Sequence, residues 1–523
     1  MAVHVPARRR RRRCAHEVHK PAGTLHPRVE KVGPQHFGVV SVDCAKARSK
    51  WMLADFFGNV LIEPVIVPHT RDGFRAAIAR LRQAVADHHL DDLIVAVERT
   101  GRYHLPVKRA FADAGFEART VHPFATKQFR LPANPGNKTD DTDLSAIHRA
   151  AVNGFGLIER RLDDNSLRLR SLARYRRDLV RKGATLKNQI HEHLELLMPG
   201  YAGCFDDVFI SNVALLVARR TGSPEAVRGL GKAGLQRLLA EAGVRSRPSV
   251  LNRVMAWAGT APDGQEPVEV LRRVLAGLDD DRLIKAREIQ SVERDLAALL
   301  ARTPYVLLLS MPGINVVSAA EYAGEMGPIG HYANSRAITG RAGLFPSRYQ
   351  SDRVDLKDGP LVRGGNRALR QSILIIADNL ICCNDHFRRR VAGWRAAGKD
   401  PRDIHVRVGS RFCRIAYQMV AGRQVYRHPS CQHRGFVLHK LAEFHREHAT
   451  AMGQVMADLG AAAAQIPRDE HRAEAEPLVA ALSQARRART GGVRMLGEIL
   501  PEVLARLGVH RVESSPSGEA DPT

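Results

Sequence analysis

The sequence predicts an α/β domain built on a mixed sheet, followed by a mainly α-helical remainder. Three observations carry this reading. From Phe37 three short apolar or alternating runs follow one another, FGVVSVDCA, KWMLADFF and NVLIEPVIV, separated by turn-like residues. From Thr70 to about Val152 helical patterns alternate with short buried-strand runs. Beyond residue 160 two long stretches show helical periodicity with basic residues on their other faces.

Residues 1–35 hold Arg8 to Arg13, six consecutive arginines amid Pro, His and Lys, without apolar periodicity, and read as a disordered basic arm. Residues 36–155 begin with a three-stranded meander. A helix follows from Thr70 to about Ala86, then the strand DLIVAVE, a helix from about Tyr103 to Ala114, the strand ARTVH, and helices through about Val152. This β-β-β-α-β-α-β-α order is that of an RNase H-like domain.

Residues 160–302 read as a helical, coiled-coil module. One long helix spans about Ser166 to Met198, with Leu172, Leu179, Leu186 and Ile190 near heptad spacing. A second spans about Asp279 to Arg302 on Leu283, Ile289, Val292, Leu296 and Leu299, with an insert over 200–278 between them. An ordinary helical spacer is the alternative. In residues 303–425 a helix breaks at Pro312-Gly313 and another begins, so that its N-terminal N–H groups can face a phosphate. Residues 426–523 form a basic, partly helical extension with a Ser-, Pro- and Gly-rich tail.

With 523 residues the chain is long enough for several domains with cores of their own. Its formal charge of +25 and pI near 10.3 imply a polyanionic partner, and nucleic acid is the leading one. No apolar run reaches the roughly eighteen residues of a membrane span, and no signal-peptide pattern stands out, so a cytoplasmic protein, nucleoid-associated when on DNA, is expected. Seven cysteines without a CxxC pair argue against a disulfide framework, and adjacent Cys382 and Cys383 read as core packing. His428, Cys431, His433 and His439 lie close in sequence but match no zinc-finger spacing, and read as surface histidines.

Four acidic residues stand where a divalent metal site needs them. Asp43 ends the first strand, Glu98 ends the fourth strand-like run, and Asp140 and Asp143 lie three apart at the start of a predicted helix, on one face of it. Converging strand ends and a helix N-terminus make a nest of hard oxygens suited to Mg²⁺ or Mn²⁺. Two such ions, ~4 Å apart, stabilise the entering and leaving oxygens of phosphoryl transfer. Each residue alone could equally be a turn or cap residue. Asp141 points off the face shared by its neighbours.

VDCAK, ERTGRYH, VHPFATKQFR, NKTDDTD, MPGIN, GRAGLFPSRYQS and GGNRALRQ together make the chain resemble, over about residues 37–425, the DEDD-type insertion-sequence transposases. These are RNA-guided recombinases with a RuvC-like N-terminal domain and a C-terminal transposase domain. The resemblance implies that Asp43, Glu98, Asp140 and Asp143 are catalytic metal ligands and that Ser351, in FPSRYQS, is the nucleophile. That serine would attack a DNA phosphodiester to give a covalent protein–DNA intermediate, in a homodimer or homotetramer that brings serine and metal site together. A structured guide RNA would pair with the element's ends and the target DNA. Asp352 stands where the family commonly has Gly. Around the site Lys138, Arg348, Arg353, Arg367 and Arg370, with Arg341 and Arg363, are candidates for phosphate contacts. The alternative function is a metal-dependent nuclease or junction resolvase acting by hydrolysis.

Overall fold

A computed structural model describes residues 25–467, apart from 133–134, 160–161, 265–266, 352–353, 357–358, 363 and 432–435. The arginine run, Asp352, Arg353, Arg363, His433 and the C-terminal tail therefore lie outside the described residues. The chain divides into two compact units, one ending at Arg161 and one beginning at Leu162.

In the first unit α1 (His26–Val32) precedes β1 (Phe37–Cys44), β2 (Arg48–Asp55) and β3 (Val60–Pro68). Next come α2 (Arg71–Asp87), β4 (Asp92–Glu98), α3 (His104–Asp113), β5 (Ala118–Val121), α4 (Pro123–Arg130), α5 (Asp140–Ala150) and the short β6 (Gly156–Leu157). The sheet order is β3-β2-β1-β4-β5-β6, with β1, β4 and β5 parallel and the meander antiparallel, an arrangement compatible with an RNase H-like fold. Successive side chains of β1 face opposite ways. Val40 and Val42 pack with Leu81 of α2 and Phe111 of α3, while Val39 joins Ile147 and Ala150 of α5 on the other face. Thr70 starts α2 by accepting the Gly73 N–H, which sets the helix boundary to within a residue of the expected one.

The arm expected to be disordered through residue 35 is folded from residue 25. Leu25 is fully buried, Val29 sits in the core, and the Arg28 guanidinium bridges Asp92 on β4 and Glu117 at 2.5 and 2.9 Å. Two apolar residues and one arginine with two carboxylate partners are too sparse a signal to stand out among basic residues.

The second unit opens with α6 (Asp164–Leu197), followed by α7 (Ala214–Thr221), α8 (Pro224–Glu241), α9 (Pro248–Thr260) and α10 (Val268–Ala301). Then come α11 (Val316–Met326), α12 (Ser335–Ala342), a hairpin of β7 (Tyr349–Ser351) and β8 (Val354–Leu356), α13 (Arg367–Cys383), α14 (Asp385–Ala396), α15 (Pro401–Ala421), α16 (Val437–Glu447) and α17 (Met452–Ala463). The long helices α6 and α10 pack antiparallel, and α10 begins eleven residues before the expected start at Asp279. The insert is not a loop: α7, α8 and α9 close a core of their own with Ile190, Leu194 and Leu197 of α6 and Leu275 of α10.

A second core joins the other ends of α6 and α10 to α11, α13, α15, α16 and α17. It runs through Ile466, so the boundary drawn at residue 425 falls inside one packed body. The turn at Pro312-Gly313 follows a 3₁₀ segment, Pro304–Ser310, rather than an α-helix. Gly313 has φ +93°, and a Cβ there would come within 2.9 Å of the Asn379 carbonyl. The next helix is capped from within, the Asn315 side chain accepting the Ser318 N–H, so part of the anion-binding potential of α11 is already used.

Cys382 and Cys383 are exposed, not core residues. The buried stripe of α13 runs Leu369, Ile373, Ile376 and Leu380, and then Asn384; helical spacing leaves both cysteines off it.

Nearly every side chain of α11 is buried, and this sets a problem for its two glutamates. Glu321 is 4 % exposed and Glu325 is fully buried. Three arginines within one turn of α6 answer it: Arg174 grips Glu325 at 2.7 and 3.0 Å, Arg176 reaches Glu321 and Glu293, and Arg177 reaches Glu321. Asn366 donates to Glu325 at 2.9 Å and caps α13 by accepting the Ala368 and Leu369 N–H groups. Burial alone would raise the Glu325 carboxyl, but the bonds from Arg174 and Asn366 outweigh it and hold it below the usual range.

Candidate active site

The parallel register of β1 and β4 pairs Val42 with Val97, so Asp43 and Glu98 follow at the same edge of the sheet. Asp43 is half-buried, and its carboxyl is raised, first by burial, then by the charges of Asp140 and Asp143. Glu98 is half-buried and pushed up to about 7, again by burial first and by Asp43 second. Their proximity to one another lowers the Asp43 carboxyl and raises that of Glu98. The buried Thr126 hydroxyl of α4, near Glu98 but without a hydrogen bond of ordinary geometry, pulls the other way.

Thr139 caps α5 in a reciprocal pair with Thr142, fixing where the helix starts. That start puts exposed Asp140 and buried Asp143 in the first turn, one above the other, where the helix dipole favours negative charge. The structure thus brings the four predicted carboxylates into one electrostatic cluster. Asp141 turns away and pairs with Lys50 of β2 at 2.5 Å.

Arg130, at the end of α4, was not singled out by sequence and reaches Asp143 at 2.5 Å with both side chains largely buried. VHPFATKQFR carries it, but nothing in that string says which carboxylate it meets. The same cluster raises the Cys44 thiol to about 12, by burial and then by Asp43 and Glu98, so Cys44 is a packing residue and not a nucleophile.

Four hard-oxygen side chains, two of them destabilised by mutual repulsion and burial, fit a divalent cation by donor chemistry. Among the described residues no three acidic, His or Cys side chains are already drawn into a ligating set, and Arg130 holds one Asp143 oxygen. The second Asp143 oxygen is not held by Arg130.

In the second unit Ser351 is exposed at the end of β7, opposite Val354 across the hairpin. Its neighbours are committed elsewhere. Ser310 is buried and donates to the Leu307 carbonyl, and Ser347 donates to the Pro360 carbonyl. Arg348 pairs with Asp355 across the hairpin at 2.9 Å. Arg370 is spent on the carbonyls of Ala342, Val362 and Gly364, bracing the loop that carries the hairpin. Arg341 donates to Tyr332. Arg367, in the first turn of α13, and Lys138, two residues before Asp140, are exposed.

The histidine group in the extension is only partly a surface feature. His428 is tied to Ser430, and Cys431 lies 3.4 Å from Asn384. His439 faces Glu443.

Two family models match the chain. A transposase model of the DEDD, IS110 type covers residues 40–199, and a model of the transposase IS116/IS110/IS902 family covers residues 305–392. The transposase for insertion sequence element IS1328 of Yersinia enterocolitica is 23% identical over 303 residues, 58% of this chain and 75% of that protein. No described helix is long and apolar enough to cross a membrane. Two stretches of the chain thus resemble IS110-type transposase domains, the first spanning the four clustered carboxylates and the second spanning Ser351.

Proposed function

We propose that the protein is an insertion-sequence transposase that cuts and rejoins DNA with divalent metal and a serine nucleophile. The observation that carries the reading is the cluster of Asp43, Glu98, Asp140 and Asp143 inside a stretch that matches a DEDD transposase domain. These four residues hold Mg²⁺ or Mn²⁺. When bound, the metal supplies charge stabilisation for a phosphate under attack and for the oxygen that leaves it.

Ser351 supplies the nucleophile. Its Oγ forms an ester bond to phosphorus as one P–O bond of the DNA backbone breaks, and its proton ends on the freed hydroxyl of the departing strand. Exposure on a short hairpin suits attack on a bulky duplex. The charge of +25 supports DNA, and a structured guide RNA, as partners. A dimer or tetramer is the working assembly.

The test is a denaturing-gel assay for a covalent protein–DNA adduct with Mg²⁺, the element's DNA ends and flanking RNA. Wild type should give the adduct; Ser351→Ala and Asp43→Ala should both lose it. Metal-dependent cleavage that persists in Ser351→Ala without an adduct would make the protein a hydrolytic nuclease instead.

A further inference from the structure

Arginines outside the candidate site differ in how their charge is met. On α14 Arg388 is neutralised by Asp385, and on α15 Arg407 pairs with Asp403 at 2.7 Å. Arg390 of α14 and Arg411 and Arg414 of α15 have no carboxylate partner among the described residues, and Arg390 and Arg414 each lie within electrostatic range of Arg411. Arg411 and Arg414 are three apart on one face of α15, which packs against α14. Arg411 is half-buried and its pKa is lowered, first by burial and then by Arg390 and Arg414.

A second feature points into the same place. His386 is 8 % exposed, and its Nε2 is buried without a hydrogen-bond partner. Its ring lies 3.9 Å, centroid to centroid, from that of His428, whose Nδ1 is already engaged by Ser430. Burial, His428, Arg411, Arg390 and Arg389 together lower the His386 pKa to about 4. Crowded guanidinium groups and an orphaned buried imidazole are each unfavourable without a ligand, and an anion with several acceptor oxygens relieves both.

We propose that Arg390, Arg411 and Arg414, beside the His386–His428 ring pair, form a binding site for the phosphodiester backbone of a nucleic acid on the face shared by α14 and α15. The proposal rests on the reading of the chain as a nucleic-acid-processing protein and assigns that role to residues apart from the carboxylates and Ser351. Each guanidinium replaces counterions on a phosphate, so the site contributes to affinity without reading bases.

The experiment measures binding of the full-length protein to a non-specific DNA duplex and to a single-stranded RNA across a salt series. Arg390→Ala/Arg411→Ala should flatten the slope of log K against log salt by roughly two phosphate contacts, at about 0.9 each for duplex DNA or about 0.7 each for single strands. The polymer whose slope flattens identifies the source of the phosphates. Arg411→Lys should keep most of the slope. Removing a crowded charge should leave the melting temperature equal or higher, whereas a purely structural arginine would lower it. The exposed Arg390→Ala alone should flatten the slope by about half as much. Unchanged slopes for both polymers in variants of an otherwise binding protein would overturn this site alone. Failure of the wild type to bind either polymer would overturn the proposed function as well.

Discussion

Asp43 combines half-burial with two like charges, an arrangement that costs folding energy and that a cation, on the proposed reading, would relieve. On that reading function and stability pull in opposite directions at this residue. Asp43→Asn should abolish cleavage yet melt higher than wild type without divalent ions, as read by calorimetry. Mg²⁺ should raise the wild-type melting temperature and have little effect on the variant. An Asp43→Asn protein that melts lower would mean that the carboxylate stabilises the fold. The positions of these four residues were legible in the sequence because strand ends and a capped helix start are local features. Arg130 was not, because its pairing with Asp143 depends on how α4 packs against α5. Nor was the commitment of Arg370 to three carbonyls, which separates it from exposed Arg367 only once the loop is folded.

At the scale of elements, α11 shows how a helix inside a core can carry charge. Its glutamates tie it to α6, and through Asn366 to the start of α13 and the loop that precedes it. A carboxylate held below its usual pKa adds stability above its unfolded pKa, about 4.3, and loses it as pH falls through the folded value. Glu325→Gln should therefore lower the melting temperature most near neutral pH, and the gap to wild type should shrink below about pH 4. The cost should sit at or under the lower end of the roughly 3–5 kcal/mol for breaking a buried pair, because Arg174 is half-exposed and can return to water. A gap independent of pH would place the effect in packing and not in the ion pair. The glutamates of EYAGEM gave no sequence signal of burial, since charged residues are almost never fully buried unless paired. The early start of α10 was likewise hidden, its apolar Val268, Leu271 and Leu275 facing the insert's core and not the stripe that continues to Leu299.

At the scale of the whole molecule, the two cores that flank the sheet are built, among the described residues, from apolar residues between Leu25 and Val152. A fragment of residues 25–159 should melt cooperatively by itself and reproduce the Asp43→Asn shift. Loss of cooperative melting in the fragment would show that its core needs the rest of the chain. The α/β order was legible because alternating short runs have few competing folds. The second unit was harder to parse, because a helical core assembled from segments as distant as Leu169 and Ile466 has no local period.

The small core at the far ends of α6 and α10 has a practical meaning. Ile190, Leu194, Leu197 and Leu275 belong to it, whereas Leu169, Leu179, Val292 and Leu296 belong to the other core, so the paired helices act as a stalk with a self-contained head. A head rooted in this way is interchangeable hardware. It can be enlarged, swapped for another small bundle, or fitted with a dye at Ile210, which is 80 % exposed, without reaching the packing around Glu321 and Glu325. The stalk thus gives the molecule an addressable handle, set apart from the packing of the other core.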